Sequence, residues 1–85
     1  MSIVVSAEPR LESVSVTDDV ISAQLTDGRT ISVPLAWSWR LTEATEAQRQ
    51  HFQIIGRGTG VHWPDIDEDI SIHGMLHGVP ARRSR

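Results

Sequence analysis

Residues 20–33 have the sequence VISAQLTDGRTISV, in which apolar and polar side chains alternate on both sides of Asp27-Gly28. A period of two places the apolar side chains of each run on one face of an extended strand. Asp-Gly between two such runs is among the strongest sequence signals for a β-hairpin, because glycine adopts a positive φ without strain and aspartate tolerates it. Residues 20–33 therefore predict two antiparallel strands joined by a tight turn.

A further strand is predicted before this hairpin. The run LESVSV at residues 11–16 favours β-structure, and Asp18-Asp19 then supplies turn residues. Pro34 ends the last run of the hairpin, because proline cannot donate a backbone hydrogen bond to a neighbouring strand. The sequence therefore predicts a three-stranded antiparallel meander over about residues 10–34.

The segment after the meander has a different pattern. Trp37, Trp39 and Leu41 occupy alternate positions, so an extended backbone would place their side chains on one face. Thr42 is predicted to be the N-cap of a helix over about residues 42–52, since the stretch that follows is rich in Ala, Glu, Gln and Arg. Its narrow apolar stripe is typical of a surface helix with one shallow buried edge.

The rest of the chain predicts one more strand and a short helix. Glycines at alternate positions over residues 56–60 indicate a turn, and residues 61–63 read as a strand after it. Ser71 is predicted to cap the last helix, with Gly78 just beyond its end. The fold class is therefore α+β: a small antiparallel sheet of about four strands, formed by the β-meander plus a further strand, with one packed helix and a short C-terminal helix.

The length of 85 residues is enough for one domain. We divide the chain into an N-terminal extension (residues 1–9), a single α+β domain (10–78) and an Arg-rich C-terminal tail (79–85). No window approaches the roughly 20 apolar residues that a membrane-spanning helix needs, and the first ten residues lack the features of a signal peptide. A cytoplasmic location without membrane contact is the resulting expectation.

The composition excludes several classes of chemistry. The chain has no Cys, which excludes disulfides, thiolate zinc sites and cysteine nucleophiles. It has no Lys, which excludes Schiff-base chemistry and the phosphate-binding lysine of a P-loop. No arrangement of residues provides a nucleophile with its base. We therefore predict no catalytic residue, no cofactor and no metal ligand.

An acidic run is the most prominent motif. Residues 65–69, Asp-Ile-Asp-Glu-Asp, match the start of an EF-hand calcium loop. That loop needs Gly at its sixth position and Glu at its twelfth, which are Ile70 and Leu76 here, so the match fails. The favoured interpretation is structural. These carboxylates accept hydrogen bonds from the free N–H groups at the start of the last helix, and one of them pairs with Arg40 or Arg57. Metal-dependent catalysis by the three aspartates and a histidine is an alternative.

Charge is distributed unevenly along the chain. The formal net charge is −3, yet Arg82, Arg83 and Arg85 stand among the last four residues, so residues 1–81 carry −6. A body of that charge repels nucleic-acid phosphates. An alternative function is that of a nucleic-acid-binding regulatory protein, in which the three tail arginines contact phosphate.

Aromatic and acidic side chains are the candidate partner contacts. Tryptophan is enriched among residues that anchor protein interfaces, although a domain this small needs its tryptophans for the core. The candidate partner-binding residues are Trp37, Trp39, Trp63, Asp65, Asp67, Glu68 and Asp69.

Short motifs occur in an order typical of a known family. They are Asp27-Gly28-Arg29, Val33-Pro34-Leu35, Arg40-Leu41, Ala44-Thr45, Gln48-Arg49, Gly60-Val61-His62-Trp63-Pro64, Asp67-Glu68-Asp69-Ile70-Ser71-Ile72 and Leu76-His77-Gly78. With them the chain resembles the bacterial domain of unknown function 2442 family over about residues 11–78. The resemblance implies a small α+β domain, often encoded beside another small protein in the manner of toxin–antitoxin pairs. It implies no catalytic residue.

The leading hypothesis is a non-enzymatic protein-interaction module. The resemblance and the acidic body together indicate an antitoxin-like or adaptor member of a bacterial two-protein system, whose partner is a small basic protein. Association of two copies through an unpaired sheet edge is left open.

Overall fold

The computed structural model describes residues 10–78. The predicted N-terminal extension and the Arg-rich tail, with Arg82, Arg83 and Arg85, lie outside the described residues. The elements in chain order are β1 (Leu11–Val16), β2 (Val20–Leu25), β3 (Thr30–Pro34), a 3₁₀ helix (Leu35–Trp37), α1 (Trp39–Thr42), α2 (Glu46–Gln50), β4 (Gln53–Ile55), β5 (Gly60–Trp63), β6 (Glu68–Ser71) and α3 (Ile72–His77). They form an α+β fold, as predicted.

The first sheet is the predicted meander, with strand order β1-β2-β3 and antiparallel pairing throughout. Ile21 pairs with Val33 and Ala23 pairs with Ile31, so the alternating apolar residues of the segment 20–33 lie on one face of the sheet. Gly28 closes the turn with φ +94°, and its N–H donates to the carbonyl of Leu25. The local signals of alternation and Asp-Gly chemistry therefore predicted this region correctly.

The remaining strands correct the prediction of one sheet with about four strands. They form a second three-stranded antiparallel sheet with the order β4-β5-β6. β4 directly follows the predicted helix, in residues for which no strand was predicted. β6 contains part of the acidic run, for which no strand was predicted. The glycine-rich turn over residues 56–60 is confirmed, and it connects β4 to β5.

The helix predicted over about residues 42–52 is shorter in the structure, where it is α2, and a separate helix, α1, ends at residue 42. Ser38 caps α1, because its hydroxyl accepts from the N–H of Leu41. Thr45 begins α2 with a capping box, in which its hydroxyl accepts from the N–H of Gln48 and the Gln48 side chain accepts from the N–H of Thr45. Thr42, the predicted N-cap, is instead the last residue of α1.

The backbone around Trp37, Trp39 and Leu41 is not extended, because residues 35–37 form the 3₁₀ helix and residues 39–42 form α1. At the other end of the chain the predicted caps are confirmed. Ser71 accepts from the N–H of Gly74, and Gly78 ends α3 in the left-handed conformation with φ +71°.

A single apolar core is shared by both sheets. Its buried members are Leu11, Val14, Ile21, Ala23, Leu25, Val33, Leu35, Leu41, Val61, Trp63, Ile72 and Met75. A backbone hydrogen bond from the N–H of Leu11 to the carbonyl of Gly58, at 2.7 Å, joins the first sheet to the β4–β5 turn. A second, from the N–H of Ile72 to the carbonyl of Thr59 at 2.9 Å, joins the start of α3 to the same turn. The shared core and the Leu11–Gly58 contact therefore tie the second sheet, which carries the acidic run, to the first.

Candidate functional site

The tip of the β5–β6 hairpin presents carboxylates to solvent. Asp65 and Asp67 are exposed there, and Ile66 between them is half-buried against the core. Asp67 adopts a positive φ of 53°, a conformation that aspartate tolerates better than most residues. The turn therefore directs two acidic side chains outward around one apolar side chain.

Two of the exposed aspartates pair with histidines. Oδ2 of Asp65 lies 2.9 Å from Nδ1 of His51, and Oδ1 of Asp69 lies 2.7 Å from Nδ1 of His62. Asp69 and His62 are also directly opposite each other in the pairing of β5 with β6. Each carboxylate thus orients a histidine ring through the Nδ1 atom of that ring. Both carboxylates remain partly exposed to solvent.

Glu68 is the acidic residue that the structure places inside. Its side chain is 4% exposed, and its Oε2 accepts from the Ser38 hydroxyl at 2.5 Å while Oε1 accepts from the N–H of Asp69 at 3.0 Å. Arg40 stands nearby, with Nη1 3.9 Å from Oε1 of Glu68. The expected pairing of the acidic run with Arg40 is therefore present. The expected capping of α3 by these carboxylates is absent, because the hydroxyl of Ser71 accepts the hydrogen bond from the N–H of Gly74.

The three tryptophans have different environments. Trp63 is fully buried, and its Nε1–H donates to the carbonyl of Arg49 at 2.9 Å. Trp37 is half-buried beside the end of α3, where a Cβ added at Gly78 would lie 3.6 Å from its Cη2. Trp39 is half-buried with the guanidinium of Arg40 4.8 Å from its ring centroid. Of the three, Trp39 lies beside the acidic hairpin tip.

A shallow groove joins Trp39 to that tip. It has a volume of about 250 Å³ and is lined by Trp39, Arg40, Glu43, Ala44 and Ile66. Sites for small molecules usually have volumes of about 300–1,000 Å³, so this groove is small for a metabolite. The groove brings together Trp39, a predicted contact residue, Arg40, a predicted partner of the acidic run, and three further residues to which the sequence analysis gave no role. Ile66 was detectable as the lone apolar residue between two aspartates.

The metal-dependent alternative has no ligand set in the described part of the chain. Among residues 10–78, no group of three or more His, Asp or Glu side chains is placed to hold a metal ion. His73 and His77 do share one face of α3, with ring centroids 4.2 Å apart. Likewise, none of the helices within residues 10–78 is long and apolar enough to span a membrane.

Comparison with protein-family models identifies a family for this sequence. A family model described as protein of unknown function (DUF2442) matches residues 11–81. The chain belongs to this family. The match confirms the resemblance inferred from the sequence motifs, and for DUF2442 the description names no activity.

Two solved structures are similar to this DUF2442 chain. A crystal structure of a protein of unknown function from Rhodospirillum rubrum has a TM-score of 0.76 and 26% identity, covering 91% of this chain and 95% of that one. A solution NMR structure of an uncharacterized protein from Chromobacterium violaceum has a TM-score of 0.72 and 27% identity, covering 86% of this chain and 69% of that one. No curated protein is significantly similar in sequence.

Proposed function

We propose that this protein is a non-enzymatic interaction module, the antitoxin-like or adaptor member of a cytoplasmic two-protein system, and that its partner is a small basic protein. The observation that carries the proposal is the β5–β6 hairpin tip. Two exposed carboxylates there, Asp65 and Asp67, surround the half-buried Ile66. An apolar centre with a charged rim is the usual arrangement of a protein-binding surface.

The charge balance supports a basic partner. Residues 10–78 contain ten carboxylates and five arginines, a formal charge of −5. Three of those arginines, Arg29, Arg40 and Arg49, lie within 4 Å of a carboxylate, and because each pair cancels one charge of either sign, the excess of five negative charges is unchanged. The resulting negative field accelerates encounter with a basic protein and slows encounter with nucleic acid.

The test is capture of the partner by the full chain from its native cells, followed by association kinetics with the purified partner. We expect a basic protein whose association rate falls severalfold in the variant Asp65→Asn/Asp67→Asn, and more steeply at low salt. The matched control is Glu12→Gln/Asp19→Asn, which removes the same charge from exposed positions around β1. A chain with no basic partner, or equal effects of the two double variants, would contradict the proposal.

A further inference from the structure

We infer that the groove between Trp39 and Ile66 is the anchor site for an amphipathic basic segment of the partner. One apolar side chain of that segment enters the groove, and its arginines or lysines lie against the acidic rim. The inference rests on the proposed function and specifies which part of the surface carries out the binding.

The size and lining of the groove fit a side chain. Trp39, Ala44 and Ile66 supply apolar walls around a volume of about 250 Å³. That volume lies below the range of about 300–1,000 Å³ that is usual for small-molecule sites, so one or two side chains fit it better than a metabolite. Half-buried Trp residues of this kind are the typical anchors of protein interfaces. The groove therefore selects an apolar side chain presented by another protein.

The charges around the groove select a basic segment. Glu43 lines the groove, and Asp65 and Asp67 flank Ile66 at the exposed hairpin tip. Arg40 also lines it, but its guanidinium faces the Trp39 ring at 4.8 Å and stands 3.9 Å from the carboxylate of Glu68. Carboxylates in and beside the groove therefore outnumber the one guanidinium that lines it, even with Asp65 paired to His51, and this excess favours arginine or lysine over acidic residues.

The same charge argues against a second copy of this chain as the occupant. A second copy would bring another acidic hairpin to the groove, within residues 10–78 whose formal charge is −5. Like charges placed opposite each other across an interface repel and disfavour the association. A separate, basic partner avoids that repulsion, and its amphipathic segment supplies the apolar side chain that the groove needs.

The experiment uses the full chain, labelled with ¹⁵N, and a synthetic amphipathic helical peptide of leucine and lysine as the probe. Two matched peptides replace either every lysine by glutamate or every leucine by serine. We expect only the leucine–lysine peptide to shift the NMR signals of the Trp39 indole N–H and the Ile66 amide. Ile66→Ser is expected to weaken binding by on the order of tenfold, as is usual for loss of an interface anchor.

Ile55→Ser is the control for apolar truncation, because Ile55 is 42% exposed on β4 and does not line the groove. Its affinity for the peptide should equal that of the unmodified chain. Ala44→Gln, which narrows the groove from its other wall, is a second test variant should Ile66→Ser fail to fold. Shifts that map outside the groove, equal binding of the glutamate peptide, or equal affinities of Ile66→Ser and Ile55→Ser would overturn the inference.

The outcomes for the groove and for the proposed function are distinguishable. A captured basic partner that responds to Asp65→Asn/Asp67→Asn but not to Ile66→Ser or Ala44→Gln would overturn the groove assignment alone. A chain without a basic partner would overturn the proposed function, whatever the peptide does.

Discussion

The hydroxyl of Ser38 donates a hydrogen bond to Oε2 of Glu68 at 2.5 Å, across 30 residues of sequence. The same hydroxyl accepts from the backbone N–H of Leu41 at 3.2 Å and so caps α1. Both Ser38 and Glu68 are buried, at 1% and 3% exposure. The pair therefore fixes the start of α1 against the second sheet, and with it the position of Trp39 beside the hairpin tip.

Ser38→Ala is expected to be strongly destabilising. It leaves a buried carboxylate oxygen without its donor, which costs about 1–3 kcal/mol, and removes a helix cap, which costs about 1 kcal/mol. Urea unfolding followed by tryptophan fluorescence measures the sum, about 2–4 kcal/mol. Thr45→Ala is the control, because it removes an exposed cap alone and should cost about 1 kcal/mol. Equal losses in the two variants would contradict the structural role of the Ser38–Glu68 pair.

Local signals explain what could be predicted from the sequence. The meander followed from alternation and Asp-Gly turn chemistry, and the ends of α3 followed from Ser71 and Gly78, because each feature is decided by residues close in sequence. β6 was missed because its buried position opposite Trp63 is occupied by Glu68. Burial of this glutamate depends on partners distant in sequence, the hydroxyl of Ser38 and the nearby guanidinium of Arg40.

For the candidate site too, features decided by local sequence were predicted and those that depend on distant contacts were not. The acidic residues were visible in the sequence, and Asp65, Asp67 and Asp69 are exposed as a partner contact requires. Their neighbours were not visible, because the pairing of Asp69 with His62 depends on strand register. The groove depends on α1 approaching the hairpin tip. Contacts of this kind are set by packing between distant segments, and no local pattern encodes them.

Arg49 is expected to contribute to stability through backbone carbonyls more than through its ion pair. Its Nε donates to the carbonyl of Leu41 at 3.0 Å, its Nη2 to that of Thr42 at 3.3 Å, and its Nη1 to Asp18 at 2.8 Å. Arg49 is 12% exposed, whereas Asp18 is 95% exposed. Arg49→Ala should therefore cost about 2–3 kcal/mol, because charged hydrogen bonds at the end of α1 are lost.

Asp18→Asn is the matched control for Arg49→Ala, since it neutralises the exposed carboxylate and leaves both carbonyl contacts intact. It should change the free energy of unfolding by less than about 0.5 kcal/mol, as is usual for surface pairs. Chemical denaturation of both variants measures the difference. Similar losses would show that the ion pair, and not the contact with α1, is the stabilising interaction.

Asp27 is expected to titrate below its ordinary range. The backbone N–H of Arg29 donates to its Oδ1 at 3.0 Å, and this hydrogen bond is the main cause that lowers the pKa of Asp27, with the Arg29 side chain contributing through Nε at 2.9 Å. A lowered pKa means that the ionised form is favoured in the folded state. The stabilisation is therefore present above the unfolded pKa of about 3.9 and is lost as the pH falls through the folded value.

Carboxyl NMR titration of the folded chain measures this shift for Asp27 directly. In Arg29→Gly the side-chain contact is removed and the backbone donor stays, so the pKa of Asp27 should rise only part of the way to its ordinary value. A complete return would contradict the larger role of the backbone N–H.

Gly58 is expected to be far less tolerant of substitution than Gly28, although both have φ near +90°. Alanine at either position incurs a backbone penalty of about 1–2 kcal/mol for the left-handed conformation. A Cβ at Gly28 meets nothing within 4 Å, whereas one at Gly58 lies 2.9 Å from the Cβ of Arg10 and 3.2 Å from the backbone N of Leu11. Gly58→Ala must therefore displace the junction between the sheets, which adds about 1–3 kcal/mol of overpacking.

Thermal or urea unfolding of the two alanine variants separates the shared backbone penalty from the steric one. Amide hydrogen exchange of Leu11 gives an independent readout, because its N–H donates to the carbonyl of Gly58 at 2.7 Å. We expect faster exchange at Leu11 in Gly58→Ala and unchanged exchange in Gly28→Ala. If both variants lose equal stability and leave Leu11 protected, the close approach of the Gly56–Gly60 turn to β1 does not hold the sheets together. The hairpin tip would then be positioned beside α1 by the apolar core and the Ser38–Glu68 pair.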